Sequence, residues 1–171
     1  VNQREQQERF DLWLKEHGAI LHHVVNGFAW GDDRNDLMQE LLLALWKAVP
    51  AFRADSKAST FIFRVSHNTA LTWHRTAKNY RRKVERFEAL VPADVCSVPV
   101  PPDAELLEQV YVEIRLLPAV DRSLILLSLD GVAYREMAEI HGLTESNVGV
   151  RLNRAKQQLA KAMKAKAHDL R

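Results

Sequence analysis

Cysteine is all but absent. Cys96 is the only one in 171 residues, so no intramolecular disulfide can form and a cysteine-rich zinc site is excluded. A reducing compartment suits such a chain. Long apolar runs are missing too: none approaches the roughly twenty residues a membrane span needs, and the first residues lack the apolar core of a signal peptide. The expectation is a cytoplasmic protein with no membrane insertion. Glycine and proline are scarce, at 6 each, as in a soluble helical protein. Nor does one sign of charge dominate. With 24 basic and 22 acidic residues the formal charge is only +2, too little to indicate a nucleic-acid partner, so the position of the charges has to be read instead.

What is present is helix-forming sequence, 47% hydrophobic and 27% charged. Acids crowd the first forty residues (Glu5, Glu8, Asp11, Glu16, Asp32, Asp33, Asp36, Glu40), whereas 78–86 and 151–171 are basic. That polarity suggests one protein-facing end and two DNA-facing surfaces. Apolar residues from Arg9 to Phe28 recur at helical spacing, with Gly18 as a possible interruption. Gly31-Asp32-Asp33 then reads as a break and a new start, Asp33 capping a helix from Asp36 to Val49 that is dense in leucine and ends at Pro50. Its solvated side carries Asp36, Gln39, Glu40 and Lys47. After a polar loop, Thr60 to Ala77 reads as a helix with Phe61, Ile62, Val65, Thr69 and Ala70 inward. Arg64, His67, Asn68, Arg75 and His74 are expected to face out, with Trp73 at the edge. An aromatic beside amide and basic groups, running into Lys78 to Lys83, is the composition of a surface that stacks bases and holds phosphates.

Four of the six prolines, Pro92, Pro99, Pro101 and Pro102, cluster in 87–102. Proline lacks the amide proton a helix needs, so this stretch reads as a linker between domains at 1–86 and 103–171. Beyond it, Ala104 to Leu117 reads as a helix with Leu107, Val110, Tyr111 and Ile114 inward, and Asp121 to Asp130 as another. The stretch from Leu117 to Ala162 contains a helix-turn-helix. Ala133, Met137 and Ile140 share one face, Gly142 supplies the left-handed turn, and Thr144 caps a second helix that buries Val148, Leu152, Ala155 and Leu159. Asn147, Arg151 and Arg154 fall on its opposite side, where amide and guanidinium donors suit a DNA major groove. The fold class expected is all-α: two small helical domains joined by a proline-containing linker, the second a helix-turn-helix.

Two ordered strings of residues, one on each side of the linker, carry a family resemblance. In the first half stand Asp36-Leu37-Met38-Gln39-Glu40 with Leu45-Trp46, Phe52-Arg53, Ser59-Thr60-Phe61-Ile62-Phe63-Arg64-Val65, and Asn68 with Ala70. In the second stand Leu117-Pro118, Arg122, Gly131, Tyr134-Arg135-Glu136-Met137-Ala138 and Asn147-Val148 with Arg151-Leu152-Asn153-Arg154-Ala155. From about Val24 onward the chain resembles a bacterial RNA polymerase sigma factor of the two-domain extracytoplasmic-function group in the sigma-70 family. The resemblance implies no catalysis, no cofactor and no metal. It implies core RNA polymerase as partner, with Asp36, Leu37, Gln39 and Glu40 meeting the clamp helices of the largest subunit. It also implies promoter DNA: Ser59, Thr60, Arg64, His67, Asn68, Trp73 and Arg75 at the minus-ten element, and Glu145, Ser146, Asn147, Arg151 and Arg154 at the minus-thirty-five element. A cognate anti-sigma factor holding the domains inactive is a further implication.

The sequence departs from the family pattern at three places. Thr72 stands where aspartate is common, Gly149-Val150 where lysine-serine is, and Phe61 where tryptophan is. Gly149 weakens its helix by about 1 kcal/mol relative to alanine and suggests that its backbone closely approaches DNA or a neighbour. Two other classes compete. A helix-turn-helix repressor or activator would bind duplex DNA without polymerase. An enzyme would need His22, His23, His67 and His74 to act with Asp32 or Asp36, and these share no metal-binding motif.

Overall fold

In the computed structural model, residues 2–54, 56–84 and 102–169 are described, and they form seven α-helices and one short 3-10 turn with no strand among them. Helix α1 (Gln3–Phe28) starts in a capping box: the Asn2 side chain accepts from the Glu5 amide at 2.8 Å, and Glu5 reaches back to the Asn2 amide at 3.1 Å. Gly18 does not interrupt it. One glycine in a helix costs about 1 kcal/mol, less than the burial of Trp13, Ile20, Leu21, Val24, Val25 and Phe28 returns on the same helix. The break comes at Gly31, whose φ of 53° is left-handed.

Helix α2 (Asp33–Ala48) begins earlier than the sequence suggested, with Asp32 rather than Asp33 at the cap position and no side-chain hydrogen bond from it. Leu37, Leu41 and Leu45 form its buried stripe, each at most 1% exposed. Pro50 sits in the 3-10 turn Val49–Ala51 that closes it. Helix α3 (Ala58–Val84) packs across α1 and α2, burying Phe61, Ile62, Phe63 and Ala70. The stretch read as a linker lies outside the described residues except for Pro102, which opens α4 (Pro102–Leu116). Tyr111 and Ile114 of α4 are buried as expected, but Leu107 is 55% exposed.

Helices α5 (Ala119–Leu129), α6 (Tyr134–His141) and α7 (Glu145–Asp169) complete the second half. Gly142 takes the left-handed conformation at the end of α6, and the Thr144 hydroxyl accepts from the Asn147 amide at 3.2 Å to start α7. Ala133 lies outside α6 as its exposed cap residue, while Met137 and Ile140 are buried as read. Met137, Val148 and Leu152 are fully buried between the two helices.

The two halves do not stand apart. Six consecutive residues of α5, Arg122 to Leu127, are all buried, and a helix turning 100° per residue can bury six in a row only if it is covered on every side. One side meets α4, α6 and α7; the other meets α1 and α3 of the first half. At this seam Gly27 faces Leu126 so closely that a Cβ there would stand 2.5 Å from a leucine methyl.

Candidate nucleic-acid interface

Helix α3 presents two ridges. Arg64, Asn68, Thr72 and Arg75 lie along the open one, all exposed. Arg64 is braced with its guanidinium 5.4 Å from the Phe61 ring centre. Phe61 in turn packs on Phe52 at 5.1 Å and Trp13 at 5.7 Å, which anchors the loop that precedes α3. Half-buried Trp73 joins Glu40, Asn68, Thr69, Thr72 and Thr76 around a shallow cleft of about 450 Å³ between α2 and α3. A cleft with amide, hydroxyl and indole groups offers hydrogen bonds and a flat apolar wall, the two needs of an unpaired base.

The other ridge turns toward the second half, and here one expectation fails. His67 is 0% exposed rather than outward-facing. Its Nδ1 is hydrogen-bonded to the Ser123 hydroxyl of α5, which also meets His141 Nε2 of α6 at 2.9 Å. Burial, then the nearby His141, lowers the His67 pKa to about 3, so the ring is neutral. Thr60 belongs to the same ridge and donates to Glu136 of α6 at 3.1 Å. Ser59 is half-buried beside it, on a cleft shared with His17, Lys57 and Asp130. Of the minus-ten residues predicted, Arg64, Asn68, Trp73 and Arg75 therefore share the open side, while Thr60 and His67 are engaged across the seam. The side chains of the basic run from Lys78 to Lys83 lie outside the described residues.

In α7, Glu145, Ser146, Asn147 and Arg154 are exposed along the first turns. Arg151 is half-buried, its Nε donating to Asp121 of α5 at 2.7 Å. Within the chain, the close approach expected at Gly149 amounts to ordinary contact: a Cβ there would meet Tyr134 at 3.6 Å.

On α2, Asp36, Gln39 and Glu40 are exposed, but Leu37 is 0% exposed and belongs to the core. Its side chain packs in the core and is not presented to a partner. The sequence reading missed Leu43, which is 47% exposed on the same side as Glu40, three residues on. Its spacing from Asp36 and Glu40 was the available signal, but the exposed side was read from its polar residues alone. Among the described residues no group of three or more histidine, cysteine or carboxylate side chains could hold a metal ion, and no helix is long and apolar enough to cross a membrane.

Residues 13–87 match the model of sigma-70 region 2 and residues 107–159 that of sigma-70 region 4. The RNA polymerase sigma factor YlaC of Bacillus subtilis is 26% identical, the match covering 90% of each chain. The ECF RNA polymerase sigma-E factor of Escherichia coli is 28% identical, over 92% of this chain and 87% of that one. Among solved structures, the sigma factor RpoE in complex with the anti-sigma factor NepR from Bartonella quintana superposes with a TM-score of 0.71 at 20% identity, over 92% of this chain and 98% of that one. CnrH in complex with the cytosolic domain of CnrY gives 0.66 at 22%, over 93% and 90%. With region 2 in its first half, region 4 in its second and relatives matched nearly end to end, the chain belongs to the sigma-70 family of RNA polymerase sigma factors, in its extracytoplasmic-function group.

Proposed function

We propose that this protein, acting in the cytoplasm, binds core RNA polymerase and directs it to a dedicated set of promoters, the polymerase performing all of the chemistry. The observation that carries this reading is the placement of three polar helix faces on one chain: Asp36, Gln39, Glu40 and Leu43 on α2, Arg64, Asn68 and Arg75 on α3, and Glu145 to Arg154 on α7. The α2 face has carboxylates and an amide around one apolar side chain, suited to a basic partner helix with an apolar spot. On α3, the cleft at Trp73 supports capture of an unpaired base of the minus-ten element, with Arg64 and Arg75 on the backbone. The first turns of α7 support reading of the minus-thirty-five duplex, in which Asn147 contacts base edges together with Arg151, whose guanidinium must leave Asp121 to do so. An anti-sigma partner is supported by the complex of RpoE with the anti-sigma factor NepR, whose sigma factor has a similar fold.

Transcription from genomic fragments by purified core polymerase, with and without this chain, tests the reading. Specific starts that need the chain are expected. A chain that shifts duplex DNA unaided and gives no starts is a repressor or activator instead.

A further inference from the structure

On the first turns of α7 positive charge is scarce. From Glu145 to Asn153, Arg151 is the only cation, and it is already held: its Nε donates to Asp121 Oδ1 at 2.7 Å. The two side chains are 34% and 20% exposed, so water has limited access to a short, charge-assisted bond. Arg135 and Glu139 on neighbouring α6 make the contrast, 3.4 Å apart at 79% and 62% exposure, a pair that solvent screens. Arg154, on the next turn of α7, is exposed with no carboxylate against it among the described residues.

Place separates the Arg151 pair from an ordinary brace. Elsewhere Glu108 bridges Arg34 of α2 and Arg115 of its own helix, each at 2.6 Å, and none of these three belongs to a face proposed for DNA. Arg151 does, since at 100° per residue it falls within roughly 60° of both Asn147 and Arg154. Nor does α7 depend on the pair for its position: Val148, Leu152 and Ala155 are buried on its other side, and it packs on α4, α5 and α6. A carboxylate beside the reading face carries the same sign of charge as a DNA phosphate and offers Arg151 the same kind of oxygen.

We propose that Asp121 is a built-in competitor of DNA. Its carboxylate occupies Arg151 while the chain is off DNA, and contact of Arg151 with a base edge or a phosphate exchanges one bond for another. The exchange also leaves the charge of Asp121 unpaired beside a polyanion. Arg151 therefore gives α7 less grip than an unpaired guanidinium would, on any sequence, and Asp121 sets the ceiling on that grip. The competition rests on the reading of α7 as a duplex-binding helix, whichever promoter it serves.

A double-mutant cycle tests it. Anisotropy titrations place the full-length chain, alone and at low salt, on a labelled random duplex, and the chain with core polymerase on a fragment from which it starts RNA. Asp121→Asn keeps the shape of the side chain and removes its charge. It should tighten binding severalfold on both, and on the random duplex it should steepen the log-log fall of affinity with salt by about one, the release of one more counterion. In an Arg151→Ala background the same substitution should change neither. An equal gain in both backgrounds would overturn the proposal, because Asp121 would then only repel DNA through its charge. No gain in either would sink it as well, reducing the pair to a brace between α5 and α7. Should Asp121→Asn lose helical circular dichroism, the Arg151 Nε–H resonance of the parent chain decides: saturating duplex should shift it, and an unmoved resonance refutes the competition. A cycle that holds on the random duplex while no fragment yields RNA counts against the sigma-factor reading alone.

Discussion

Burial, and then the nearby His141, lower the His67 pKa to about 3 in the folded chain, against about 6.5 for an imidazole in water. His141 shifts in the same direction, from burial and then from Arg151. The unfolded chain therefore takes up protons first. The stability that depends on a neutral His67 is present above pH 6.5 and is lost as the pH falls from there toward 3, by about 1.4 kcal/mol at one unit below 6.5 for His67 alone. Neighbouring Arg122, its pKa lowered to about 10 by burial and then Arg115, stays charged throughout this window and adds no slope. Urea midpoints at pH 7.5 and 5.5 should differ in this sense, and His67→Gln should flatten the difference. A second residue-scale prediction concerns Arg151→Ala, which should weaken binding of the cognate upstream element by roughly 1 to 3 kcal/mol in competition assays. Equal loss on scrambled DNA would assign it to phosphate. Helical spacing told which residues of α3 share a ridge but not which ridge meets solvent. His67 follows Arg64 by three positions and was grouped with it, because the second helix covering that ridge comes from a distant part of the chain.

Among the elements, the turn between α6 and α7 was legible to the residue, since turn and cap depend on local chemistry: Gly142 for the left-handed φ, Thr144 for the first amides of α7. Helix α5 was legible as a helix but not as a buried one, for Arg122 and Ser123 look like surface residues until their partners are known. Helix α4 shows the converse error. Leu107 was read as core from its spacing to Val110, Tyr111 and Ile114, whereas it and Leu106 are more than half exposed. At Gly149 alanine meets only ordinary contact with Tyr134, so Gly149→Ala should raise stability to urea by about 0.5 to 1 kcal/mol. A drop would mean that the ring of Tyr134 cannot give way. On α2, Gln39→Lys with Glu40→Lys should abolish co-purification with core polymerase at unchanged helicity, and Leu43→Asp should weaken it about tenfold or more if Leu43 sits at the centre of that contact. Retention in both would place the docking face elsewhere.

For the molecule as a whole, the two ordered motif strings and the prolines between them revealed two bodies. Their mutual packing was not visible, because a seam assembled from α1, α3, α4, α5 and α6 has no periodicity of its own in the sequence. Composition pointed the same way as the motifs only once charge was read by position. The Glu108 bridge has one more consequence. Burial pushes its carboxyl up, but hydrogen bonds and charge from Arg115 and Arg34 outweigh this and hold it below the usual range. Glu108 is 42% exposed, so dissolved ions reach the bridge, and the Debye length shrinks from about 10 Å at 0.1 M to about 3 Å at 1 M salt. The contribution of this bridge should therefore shrink with salt, and the urea midpoint measured across a potassium glutamate titration should fall less in Glu108→Gln than in the parent chain.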